Sequence, residues 1–146
     1  MLPYKRRQTM NLSKELQIGK AGEHLVCCDL ISQGVSAFLA DAGLPYDVLV
    51  DKGDGIKRVQ VKTSTHKADY GKSKDVYRFS LRSAKGANRS IKASKVDYMA
   101  FVFLDKRIVQ YIPVSLITAD NGDIKQCIDF KEEGKNKYVI GNFSKI

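Results

Sequence analysis

The sequence predicts an α/β domain built around one central mixed β-sheet, and three observations carry that expectation. A long segment near the start has helical periodicity. Several later segments alternate apolar and polar residues with period two. One, "VDYMAFVFL", is apolar almost without interruption. At 146 residues and 43% hydrophobic content, the chain is expected to form a single domain over 1–146, with residues 1–12 as a flexible basic arm.

The elements follow in order. Ser13 suits a helix N-cap and Gly34 a stop, so 13–33 reads as helix. Ile18, Ala21, Leu25 and Cys28 recur at helical spacing, and Val26, Leu30 and Ile31 widen the apolar coverage, so this helix is expected to be well buried. "SAFLA" at 36–40 reads as a first strand and "YDVLV" as a second, with Val48 and Val50 on one face and Asp47, Leu49 and Asp51 on the other. "DKGDGI" is a hairpin turn whose glycines supply positive φ, and "KRVQVKT" returns from it.

"VYRFSLR" then alternates Tyr77, Phe79 and Leu81 inward with Arg78, Ser80 and Arg82 outward. "VDYMAFVFL" is expected at the sheet centre, buried on both faces, with "KRIVQYI" pairing back onto it. "PVSLITA" reads as a short helix because Pro113 fits a first turn, and "KYVIG" as a small last strand.

Charge and cysteines bound the function. The net charge is +9, and residues 57–95 hold twelve Lys or Arg against two acids, while the rest holds thirteen against fourteen. One contiguous segment therefore carries the whole excess, which points to a polyanion such as a phosphate backbone. No apolar run approaches the ~20 residues that span a bilayer, and the basic start lacks the apolar stretch of a signal peptide, so no membrane partner and a cytoplasmic location are expected. Cys27, Cys28 and Cys127 are odd in number and lack CxxC spacing, so small buried thiols are expected rather than disulfides or a zinc site.

The residues that suggest chemistry lie around the hairpin. If the turn uses 52–55 with Asp51 opposite Ile56, Asp47 falls opposite Gln60 on one sheet face, and Lys62 lies two residues along. The valines at 48, 50, 59 and 61 face the other way. A carboxylate, an amide oxygen and an ammonium together suit phosphodiester hydrolysis with Mg²⁺, which takes oxygen ligands. Asp47 would bind the ion, helped by the Gln60 side-chain oxygen and the Val61 carbonyl. Lys62 would position the attacking water, and Glu23 from the helix would hold a further water or a second ion. Glu23, on a face shared with Val26 and Leu30, needs a partner if it is buried.

Glu23 in "GKAGEHLV", Asp47 in "LPYDVLV" and "QVK" at 60–62 occur in the order and spacing of the PD-(D/E)xK nuclease superfamily. Over residues 14–118 the chain resembles the Holliday-junction-resolvase-like and intron-homing endonucleases, including the strand pair in "VDYMAFVFLDKRIVQYIPVSLI". The resemblance implies a restriction-endonuclease-like core, a central mixed sheet flanked by helices. It also implies Mg²⁺-dependent DNA cleavage, with Mn²⁺ as substitute, and Glu23, Asp47, Gln60 and Lys62 as site residues. Two departures stand out. Tyr46 separates Pro45 from Asp47, and Gln60 replaces the usual acid, a substitution that active relatives also carry but that weakens the pull on a cation.

Further candidates surround this motif. Thr63, Ser64, Thr65, His66 and Lys67 continue its strand and are candidate phosphate contacts, as are Arg78, Arg82, Lys85, Arg89 and Lys92. His24, Tyr46 and Tyr98 read as structural. A one-site chain that cuts both strands would act as a homodimer or higher oligomer. The alternatives are a catalytically silent DNA-binding or DNA-structure-recognising module, and a nuclease acting on RNA.

Overall fold

Ser13 starts the first element of the structure, a computed structural model that describes residues 13–68, 75–82 and 91–146. The Ser13 side chain accepts the Leu16 amide at 3.3 Å and caps α1, Lys14–Ser32. The helix ends at Gln33, and Gly34 follows at φ 83°, as the sequence predicts. Its burial differs from the expectation. Only Gly22, Val26 and Leu30 are buried, while Leu16 is 60% and Ile31 57% exposed. A helix lying on a single sheet buries one stripe, and its other apolar residues meet no second layer. The cysteines are likewise not buried thiols. Cys28 and Cys127 are exposed, and Cys27 is half-buried at the margin of the core beneath α1.

The sheet has five strands in the order β1-β2-β3-β5-β6. They are β1 (Ser36–Leu39), β2 (Val48–Asp51), β3 (Ile56–Ser64), β5 (Tyr98–Phe103) and β6 (Ile108–Pro113). The pairs are antiparallel except β3 with β5, so the sheet is mixed. The β2–β3 hairpin takes the predicted register, Asp51 against Ile56, with Asp51 Oδ1 accepting the Gly53 amide at 2.8 Å in the turn.

Alternation then divides two cores. Val48, Val50, Val59, Val61, Ala100 and Val102 face Val26 and Leu30 of α1. Met99, Phe101 and Phe103 face the opposite way. They meet β4 (Tyr77–Ser80) and β7 (Cys127–Phe130), which pair antiparallel as a separate two-stranded sheet. Phe79 stands edge-on to Phe101 at 5.1 Å and to Phe103 at 5.3 Å. The central strand is thus buried on both faces as predicted, by one α-helix on one side and a β-ribbon on the other among the described residues.

Four features differ from expectation. β4 has the predicted inward and outward alternation but does not join the main sheet. β7 was not foreseen, because its two inward residues, Ile128 and Phe130, make too short a pattern. The strand expected at "KYVIG" reduces to one bridge, Lys131 with Val139. The "PVSLITA" helix is a 3₁₀ turn, Val114–Ile117, starting after Pro113. Buried Gln110 accepts the amides of Gly141 at 2.8 Å and Phe143 at 3.1 Å, so the segment around them lies along the edge of β6.

Candidate nuclease site

β2 begins one residue after Asp47, so the second half of β3 runs on beyond its antiparallel neighbour. The regular pairing stops at Val48 with Val59, one step short of the expected Asp47–Gln60 pair. The Asp47 amide instead donates to the Val59 carbonyl at 2.9 Å, and its carboxylate accepts the Val61 amide at 2.8 Å. Asp47 is therefore turned to the strand edge rather than standing above the sheet beside Gln60. The N–H and C=O of one strand residue point the same way, so the Val61 carbonyl also faces this edge.

Glu23 arrives from α1 with only 17% of its side chain exposed, and Lys20, one helical turn earlier, supplies the partner it requires at 2.8 Å. Lys62 leaves β3 on the face of Met99 and Phe101, where its ammonium donates to the Arg82 carbonyl at 2.9 Å. The four charges act on one another. Burial holds the Asp47 carboxyl above the usual aspartate range; the Val61 amide opposes this, Glu23 adds to it, and Lys62 and Lys20 pull it back. Burial lowers the Lys62 ammonium, with Asp47 opposing. The hydrogen bond from Lys20 to Glu23 raises the Lys20 ammonium. Lys20 is the site residue that sequence reading missed, although its i,i+3 spacing to Glu23 in "GKAGE" was the available signal.

Beside these groups lies a cleft of about 330 Å³, lined by Glu15, Gly19 and Glu23 of α1 and by residues 61–66 at the end of β3. Gln60 is half-buried, and its amide has no hydrogen-bond partner among the described residues. The donor set suits a hard divalent cation. Two carboxylates that repel one another, a main-chain carbonyl and an amide oxygen are the ligand types that Mg²⁺ takes. Among the described residues no group of three or more Asp, Glu, His or Cys is assembled, so the neutral oxygens of Gln60 and Val61 would have to complete the set.

The predicted phosphate contacts divide. Thr63 is corrected: its hydroxyl is buried against α1, because odd-numbered β3 residues share the valine face. Ser64 Oγ donates to the His66 carbonyl at 3.0 Å, and Thr65 Oγ1 lies 2.9 Å from His66 Nδ1, with His66 exposed at the cleft. Lys67 pairs with Glu132 at 3.2 Å and Arg78 with Asp129 at 2.8 Å. Arg82 bonds Gln126, and Lys92 bonds Asp123. Lys85, Arg89 and the 1–12 arm lie outside the described residues. His24 is exposed on α1, and Tyr46 and Tyr98 pack against the two cores as expected. No described helix is long and apolar enough to cross a membrane.

Comparison with known proteins bears on the fold and the family. The bacterial homing endonuclease I-Ssp6803I superposes with a TM-score of 0.61 at 17% identity, covering 89% of this chain and 83% of that one. A Holliday junction resolvase of Archaeoglobus fulgidus, Hjc, superposes at 0.48 and 16% identity, covering 76% and 83%. No curated protein matches by sequence. The model of the PD-(D/E)XK endonuclease family matches residues 13–141, from the cap of α1 to the segment along β6, and the chain therefore belongs to that family.

Proposed function

We propose that this protein is a Mg²⁺-dependent DNA endonuclease, with Mn²⁺ able to substitute. The observation that carries the reading is Asp47, fixed at the open edge of β3 by the Val61 amide, with Glu23 and Lys62 near enough to shift its proton affinity. Asp47, Glu23, the Gln60 amide oxygen and the Val61 carbonyl would hold the ion, which when bound supplies positive charge at the scissile phosphate. Lys62, its proton loosened by burial, orients the attacking water and stabilises charge developing on the phosphorane. The basic segment 57–95 supports a polyanionic substrate. One site per chain implies that cutting both strands takes two chains, which light scattering with and without DNA would reveal.

The test is cleavage of supercoiled plasmid and of a branched junction, each with and without Mg²⁺, beside Asp47→Ala. Mg²⁺-dependent cleavage lost in the variant supports the reading; equal cleavage by both proteins overturns it. A second reading, a DNA-binding module without catalysis, is favoured by one observation, a neutral Gln60 where the family usually has an acid. DNA binding by wild type with no cleavage in either metal selects it.

A further inference from the structure

We infer that Gly22 is a positioning residue, whose contact with Thr63 fixes how deeply α1 sits on β3 and so where the Glu23 carboxylate stands relative to Asp47. The inference rests on the metal-site reading above and adds the residue pair that sets its geometry.

The contact is closer than any side chain at position 22 permits. A Cβ built on Gly22 would lie 1.9 Å from Thr63 Oγ1, 3.0 Å from Thr63 Cβ and 3.1 Å from its Cγ2. Turning the threonine about χ1 can put Cγ2 or hydrogen in the place of Oγ1 but leaves Cβ at 3.0 Å, and a β-branched residue in a strand has few rotamers to choose from. The helix backbone therefore rests on the threonine itself. Gly22 and Val26 are both buried in the stripe that faces the sheet, so the resting point lies on the packed line of the helix and not at a frayed end.

Thr63 is itself unexplained by core packing. It shares the valine face with Val59 and Val61, yet its hydroxyl is buried with no hydrogen-bond partner among the described residues. An unpaired buried hydroxyl is unfavourable. The compensating feature is size, since a hydroxyl is smaller than a methyl and lets the Gly22 backbone come closer than valine would. Gly22 precedes Glu23 in the chain, and Thr63 follows Lys62. One contact thus links the two site elements that arrive from different parts of the fold. Pushing α1 outward at Gly22 carries Glu23 away from Asp47 as a body, while Asp47, Gln60 and Lys62 stay on the sheet.

The experiment measures Mn²⁺ binding by electron paramagnetic resonance in wild type, Glu23→Ala, Gly22→Ala and Gly22→Ala/Thr63→Ala, with thermal melts alongside. Gly22→Ala is expected to weaken Mn²⁺ binding by about tenfold, the scale of losing a group that orients a ligand. The double variant is expected to recover to within about threefold of wild type, because its closest approach is one Cβ pair at 3.0 Å, relieved by a shift of a few tenths of an ångström. A packing role alone would lower the melting temperature and leave the affinity of the folded chain unchanged. If Mn²⁺ binding is weakened by Glu23→Ala but not by a folded Gly22→Ala, the positioning role is overturned and the metal site stands. If wild type binds no Mn²⁺, or Glu23→Ala binds as wild type does, the metal site as drawn fails and the inference fails with it. Should Gly22→Ala not fold, the double variant decides. Folded and binding near wild type, it supports the inference; unfolded, or weakened by more than tenfold, it overturns it.

Discussion

Asp47 and Val61 are joined by a carboxylate-to-amide hydrogen bond of 2.8 Å, which gives the Val61 amide a partner where β3 runs on beyond the start of β2. The same carboxylate thus closes a strand edge and serves as the central acid of the candidate site. These roles separate under substitution. Asp47→Asn keeps an oxygen for the Val61 amide and removes the charge. It should abolish cleavage while leaving the metal-free melting temperature at neutral pH equal to or above wild type. Asp47→Ala leaves the amide unpaired and should lose about 1 kcal/mol as well as activity. Linkage fixes the sign. The folded carboxyl is raised above its unfolded value, so its contribution to stability is present below the unfolded pKa and is lost as pH rises through the folded one. Melts of wild type and Asp47→Asn from acid to neutral pH check this, and a large neutral-pH loss in the asparagine variant would refute it.

Cleavage should follow a bell-shaped pH profile. Its acid limb should lie above 3.8, the ordinary aspartate value, because Asp47 must ionise against burial and Glu23. Its alkaline limb should lie below 10.5, the ordinary lysine value, because burial loosens the Lys62 proton. Initial rates at a fixed Mg²⁺ concentration well below saturation, where protons still compete with the ion for Asp47, give both limbs, and limbs at unshifted values would remove these two residues from the rate-determining ionisations.

Gln60 and Lys62 should fail in different ways. Lys62→Ala removes the charge that balances the phosphorane and should slow cleavage by roughly a hundredfold, about 3 kcal/mol, with DNA affinity nearly unchanged. Gln60→Glu restores the family's acid and should lower the Mg²⁺ concentration needed for half-maximal rate. Rate against Mg²⁺ for each variant, with DNA binding in parallel, decides. An unmoved Mg²⁺ requirement in Gln60→Glu places that side chain outside the ion's reach.

DNA affinity should be limited by acids on the same surface. Glu132 holds Lys67 at 3.2 Å and Lys106 at 2.8 Å, so two cations are already engaged before any phosphate arrives. Glu132→Gln should tighten duplex binding at low salt and steepen the slope of log affinity against log salt by roughly 0.9 for each lysine that turns to a phosphate. Fluorescence anisotropy titrations over a salt series measure both. A slope and affinity identical to wild type would show that neither lysine faces the duplex.

Much of the fold could be read before the structure because single segments determine it. Phe101 and Val102 in an unbroken apolar run require cover on both faces, and the glycines of "DKGDGI" fix the β2–β3 register. What depended on a partner was not legible. β7 has two inward residues and becomes a strand only through β4. The acids that meet Lys67, Arg78 and Lys92 come from residues 123–132, too distant for pattern to relate. The turn of Asp47 toward Val61 depended on where β2 starts, which apolar alternation leaves uncertain by a residue. The burial of Thr63 was legible in principle, since alternation already grouped it with Val59 and Val61.

The resting bond of Lys62 has a consequence for how readily the site can engage. Its ammonium sits on the Arg82 main-chain carbonyl, a neutral acceptor, and not on the nearby Asp47 carboxylate. Under the nuclease reading, handing this lysine to a phosphate exchanges a dipole for a full anion, so the exchange runs downhill without first breaking an ion pair. Arg82 lies two residues after the end of β4, so the segment that presents Arg78 and Arg82 also parks the lysine through its own backbone. Substrate arriving at β4 and release of Lys62 would then be neighbouring steps on one short stretch of chain, a latch and its handle made from the same residues.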